Sequence, residues 1–215
     1  MKSKIDALLK QQTLDGLIVL GTSAHNPAMY YMANGASIGE RSVLVKPRGR
    51  KGSLVVHAME REEAAKSGLR VLDLHTAQMA AAATRPAKAG NLAHAQARLL
   101  GAVLKQLGVT GRFALAGLQD AGFAAELVAQ FNRARLGATI VFAPDLISQA
   151  AVTKDADEVA RIRAVALKTV AVVADIHDFL SQQSTKGDVL VDKAGQPVTI
   201  GAVKTRINLK LAENG

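Results

Sequence analysis

The chain has 215 residues, 49% of them apolar and 21% charged, which is enough material for one large domain or a domain with a second element. It has no cysteine, so disulfides, thiolate metal sites and cysteine nucleophiles are excluded, and aromatics at 3% with no Trp supply base stacking poorly. The formal net charge is +9, with 18 Lys+Arg against 10 Asp+Glu in residues 1–153 and 9 against 8 after them.

The chain opens without an apolar export region, and its longest weakly polar stretch, Met79–Ala83, is far too short to cross a bilayer. A cytoplasmic protein with no membrane partner is expected. Ile5, Leu8 and Leu9 give one apolar face to a short helix that stops before Asp15-Gly16. Leu17–Leu20 reads as a buried strand. Ser42–Lys46 and Ser53–His57 then form a hairpin across a turn rich in Pro, Gly and basic residues. A charged helix over 60–66 and a strand over Val71–Leu74 follow. Residues 76–90, rich in Ala, read as loop or frayed helix. Leu92, Leu99, Leu100, Val103, Leu104 and Leu107 recur at helical spacing, ended by Gly108. Phe113–Ala116 reads as a strand, Phe123–Phe131 as a helix and Thr139–Phe142 as a strand. This alternation predicts an α/β domain over 1–153: a mixed β-sheet flanked by helices, with the hairpin as its antiparallel part.

The pattern changes near Thr153. From Asp155, apolar residues at Val159, Ile162, Ala166, Val170, Val173, Ile176 and Leu180 describe one long helix. A final helix from about Thr199 carries Ile200, Val203, Ile207 and Leu211 on one face. That stripe needs a partner layer, yet the chain stops at Asn214-Gly215. Residues 154–215 are therefore read as a linker helix and the incomplete start of a second domain, with the natural chain continuing.

Two segments carry a family resemblance. Leu14–Leu20 followed by His25–Tyr31 is similar to the opening of creatinase/prolidase N-terminal domains, with Asn26, Tyr30 or Tyr31, and Gly35 standing for the family's motif and Pro27-Ala28 departing from it. Thr153–Ala164 is similar to the family's linker signature, matched at Lys154, Glu158, Val159, Ile162, Arg163 and Ala164. The chain thus resembles the N-terminal domain of the creatinase/prolidase/Xaa-Pro aminopeptidase (M24 metallopeptidase) family, cut before the pita-bread catalytic domain. The resemblance implies a homodimer, a proline-containing peptide substrate, and two divalent metal ions (Mn, Co or Zn) held by two Asp, one His and two Glu in the full-length enzyme. None of those ligands lies in this chain, and no residue of it is assigned as catalytic. The resemblance further implies that this domain shapes one wall of the active-site mouth.

Candidate chemistry is sparse. Asp175, His177 and Asp178 cannot all point at one ion from a single helix and read as a polar face. His57 reads as a packed or capping residue. His25, Asn26, Tyr30 and Arg41 are the candidates for substrate contact, because the resemblance places their loop near the pocket; the plainer reading makes Asn26-Pro27 a turn with Tyr30 packed beneath it. Two rivals remain: a creatinase-like C–N hydrolase or pseudoenzyme of the same family and, distantly, a basic module using Lys46, Arg48, Arg50 and Lys51 on nucleic acid. Too few aromatics and no recognisable reading motif speak against nucleic acid as partner, and a solvated hairpin tip explains the cluster.

Overall fold

Alternation along each strand decides which helix layer its side chains meet. The computed structural model describes residues 2–39, 42–83, 92–117 and 120–214. Residues 1–153 and 154–215 form two compact units.

In the first unit the chain runs α1 (Ile5–Gln11), β1 (Gly16–Leu20), α2 (Pro27–Met32), β2 (Val43–Pro47), β3 (Ser53–Val56), α3 (Arg61–Ala65), β4 (Arg70–Asp73), α4 (Leu74–Ala83), α5 (Leu92–Gln106), β5 (Gly111–Ala116), α6 (Ala121–Ala134), β6 (Ala138–Val141) and α7 (Leu146–Val152). The strands form one six-stranded sheet in the order β4-β3-β2-β1-β5-β6. Strand β2 runs antiparallel to both β1 and β3, while the β1–β5, β5–β6 and β3–β4 pairs are parallel. The sheet is therefore mixed, as the hairpin predicts.

Its two faces carry separate cores. Ile18, Leu20, Phe113, Leu115 and Ile140 pack on one side with Leu100, Val103 and Leu104 of α5 and Leu127 and Phe131 of α6. Leu17, Val19, Leu44 and Ala114 pack on the other with Ile5 and Leu9 of α1, Met29 and Met32 of α2, and Leu146 and Ala150 of α7. Each fully buried Leu, Ile or Phe contributes about 1.5–3 kcal/mol, so these two layers hold the sheet.

Two elements depart from the sequence reading and a third narrows it. Residues 74–83 form a helix, the second of the two readings of 76–90, because an Ala-rich run has the best intrinsic helix propensity; 84–90 lie outside the described residues. Pro27–Met32 is a helical turn and a half with Pro at its first position, where its missing N–H is harmless. Leu146–Val152 is a helix of only 7 residues, too short to show a period.

The second unit holds α8 (Ala156–Ser181), the small hairpin β7 (Ser184–Lys186) with β8 (Val189–Val191), and α9 (Ile200–Asn214). A capping box starts α8: the Asp155 carboxylate accepts from the Glu158 N–H, and the Glu158 side chain accepts from the Asp155 N–H. Helix α9 lies on α8, with Thr169, Val172 and Ile176 facing Ile207 and Leu211. The stripe expected to lack any partner layer thus has one in part, although Ile200 stays 77% exposed. Arg206 grips Asp175 with two hydrogen bonds, of 2.7 and 3.0 Å, while its guanidinium lies 4.7 Å above the Phe179 ring. His177 and Asp178 are exposed and lie 3.4 Å apart.

Candidate functional site

Parallel strands whose chains leave in different directions open a crevice at their carboxyl ends. Strands β1 and β5 are such a pair. After β1 the chain turns into α2 on one face of the sheet, and after β5 it turns into α6 on the other. A cavity of about 400 Å³ lies at this edge, lined by His25, Asn26, Gly117, Pro144, Asp145 and Ser148 around an apolar floor that includes Leu17 and Leu115.

Asn26 organises the crevice. It is buried, and its Nδ2 donates to the Leu20 carbonyl at 2.9 Å and to the Gly117 carbonyl at 3.0 Å. Its Oδ1 accepts from the Met29 N–H and caps α2. One side chain therefore joins the ends of β1 and β5 to the start of α2, with donor and acceptor both used. Gly117 makes this possible. Its φ is +85°, and a Cβ there would stand 2.6 Å from the Leu20 oxygen and 2.9 Å from Asn26 Nδ2. The loop before Asn26 is tied down as well: Thr22 Oγ1 donates to the Ile38 carbonyl at 2.7 Å, and Ser23 Oγ accepts from the Ile38 N–H.

His25 and Asp145 sit on the rim, both exposed and both in the left-handed backbone region, at φ +55° and +53°. That conformation costs a non-glycine residue about 1 kcal/mol or more, and here it occurs twice around one cavity. Of the four residues singled out in the sequence, His25 and Asn26 line the cavity. Tyr30 projects from α2 with 58% exposure, and it is Tyr31 that turns inward, its hydroxyl donating to the Ala150 carbonyl. Arg41 lies outside the described residues. Sequence reasoning missed the far wall, Ala143–Ser148. The strand-ending Pro144-Asp145 pair was its one visible signal.

The basic hairpin is held largely by its own protein. Lys46 pairs with Asp6 at 2.6 Å, Arg48 donates to the Leu14 carbonyl and pairs with Asp15 at 3.2 Å, and Arg50 donates to the Leu107 carbonyl. Partial burial would raise the Asp6 pKa, but the Lys46 ammonium and the Gly49 N–H more than offset it and hold the carboxyl below its ordinary value. His57 is exposed at the end of β3. Among the described residues no three His, Asp or Glu side chains converge as a divalent ion requires.

No protein-family model matches this sequence, and no curated protein does. Solved structures do match in fold. The Xaa-Pro dipeptidase from Bacillus anthracis superposes with a TM-score of 0.62 at 14% identity, over 100% of this chain and 49% of that one. The X-Pro aminopeptidase from Thermotoga maritima gives 0.58 at 11% identity, over 95% and 49%. A dipeptidase from Pyrococcus horikoshii gives 0.54 at 15%, over 98% and 49%. The chain has the fold of part of these proteins and spans about half their length.

Proposed function

We propose that this chain is the N-terminal, non-catalytic portion of a metal-dependent Xaa-Pro peptidase, contributing to its dimer and to one wall of its active-site mouth. The observation that carries this reading is the extent of the fold likeness, which runs over 95–100% of this chain, both units included, and takes up about half of the Bacillus anthracis and Thermotoga maritima Xaa-Pro peptidases. In that reading the two divalent ions, and the residues that bind them, belong to the other half of the enzyme. No step of peptide hydrolysis passes through residues of this chain. Its own contribution is positional: Asn26 fixes the crevice, and His25 and Asp145 present polar groups at the rim to a peptide.

The test is turnover of Xaa-Pro dipeptides with added Mn²⁺ or Co²⁺. Residues 1–215 alone should be inactive, and the same chain extended by its downstream sequence should be active. Metal-dependent hydrolysis by residues 1–215 would overturn the proposal, as would an extension without metal ligands.

A further inference from the structure

The sheet topology sorts the first unit's charges by edge. Every strand except β2 runs the same way, so the amino ends of β1, β3, β4, β5 and β6 and the carboxyl end of β2 share one edge. Read across the sheet, that edge carries Arg70 at β4, Lys51 before β3, Arg50 after β2, Arg112 at β5 and Arg135 before β6, with Arg133 beside it. All six are exposed. Among the described residues only β1 presents a carboxylate at this edge, Asp15, and it is already engaged by Arg48 and by the Arg112 N–H. The other acidic group here, Asp6, is held by Lys46 and the Gly49 N–H. Asp73 ends β4, and Asp120 and Asp145 follow the carboxyl ends of β5 and β6, so all three lie at the opposite edge.

Helix dipoles explain part of this sorting. Cations favour helix carboxyl ends, which accounts for Arg133 in the last turn of α6 and for Asp120 at its start. They do not explain Arg50 and Lys51 in a turn, or Arg70 and Arg112 at strand starts. None of Lys51, Arg70, Arg112, Arg133 or Arg135 has an ion-pair partner among the described residues. Arg50 is steadied by the Leu107 carbonyl yet keeps its charge.

We infer that this edge is a docking surface for the phosphate backbone of a double-stranded nucleic acid, read without regard to sequence. Five strand spacings make a row roughly 24 Å long, which runs beside about seven phosphates of one strand. The row is mostly Arg, whose planar fork suits phosphate oxygens. It lacks the aromatic anchors that a protein interface or a single strand would use: Phe113 and Phe131, the nearest rings in sequence, are fully buried. The basic turn alone is explained as a solvated tip. The row across the whole sheet is what points to a polyanion.

The test uses the full chain and a fluorescently labelled 24-base-pair duplex of mixed sequence, with anisotropy read at several salt concentrations. Five phosphate contacts should make affinity fall about 500-fold between 50 and 200 mM salt. The combined Lys51→Gln, Arg70→Gln, Arg112→Gln, Arg133→Gln and Arg135→Gln variant should lose nearly all of that dependence, about one unit of log–log slope for each charge removed. Should this variant unfold, two half-sets, Lys51→Gln with Arg70→Gln and Arg133→Gln with Arg135→Gln, are each expected to remove about two units while melting as wild type. Lys186→Gln, Lys193→Gln and Lys204→Gln, in the second unit, should leave the slope unchanged. Equal loss from that control set would overturn the proposal. So would salt-independent binding, displacement by polyglutamate as effective as by duplex, or no binding at 50 mM salt. Peptidase assembly and duplex binding are separate readouts, so either reading can fail alone.

Discussion

Asn26 shows how much one polar side chain can hold together. Its amide bridges two strand ends and caps a helix, so truncation removes hydrogen bonds to a buried carbonyl, a half-buried carbonyl and one N–H. Each such group costs about 1–3 kcal/mol when stranded, partly relieved where water can enter from the adjoining cavity. We expect Asn26→Ala to destabilise the chain by about 2–4 kcal/mol in urea denaturation. Asn26→Asp keeps the cap acceptor but loses the donor, and should lose a comparable amount. A variant as stable as wild type would show that the bridge contributes nothing. This residue also marks the limit of what could be read in advance. Asn26-Pro27 is visible in the sequence as a chain reversal, and the structure makes it a helix start. Its partner Gly117 lies 91 residues away, and no local pattern announces that distance.

At the scale of elements, long-period patterns were legible and short ones were not. The apolar spacing from Asp155 predicts a helix to Leu180, and α8 runs Ala156–Ser181. The hairpin, the buried strand at 17–20 and the helix at 92–107 are read equally well. Helices α2 and α7, of 6 and 7 residues, are shorter than two turns and cannot show periodicity; tertiary packing of Met29, Met32, Leu146 and Ala150 forms them. The pairing of α9 with α8 was not legible either, because the apolar residues and the salt bridge that join the two helices lie about 31 positions apart, beyond any local pattern. The Arg206 hydrogen bond holds the Asp175 carboxyl below its ordinary value of 3.8. A depressed carboxyl stabilises the fold above its unfolded value and loses that effect as pH falls through its folded one. The thermal midpoint of Asp175→Asn should therefore lie below wild type at pH 7, and the gap should close as the pH drops below 3.8. A gap that stays constant into acid would rule out the ion pair as its source.

For the whole molecule, the outstanding surface is the α8 face formed by Val159, Ile162, Val170 and Val173, exposed by 41%, 54%, 65% and 63%. A contiguous apolar stripe of this kind marks an interaction surface or an association hazard. Residues 1–215 should self-associate with rising concentration in sedimentation. Ile162→Ser with Val170→Ser should shift the chain toward monomer without unfolding it. A wild-type chain that stays monomeric at all concentrations would contradict this.

The pairing of β1 with β5 carries a consequence for how the chain is made. Gly16 meets Phe113 across 97 residues (113 − 16), whereas β2 reaches β1 through the connection that holds α2 and reaches β3 through a tight turn, both much nearer in the chain. Closing that span costs about 4 kcal/mol of chain entropy before any contact offsets it. During synthesis the first four strands can assemble as soon as β4 leaves the ribosome, but one side of β1 then waits, unpaired, for β5 to emerge. The middle of the finished sheet begins life as an open edge, and the interval before residue 116 appears is when this protein is most exposed to pairing with the wrong chain.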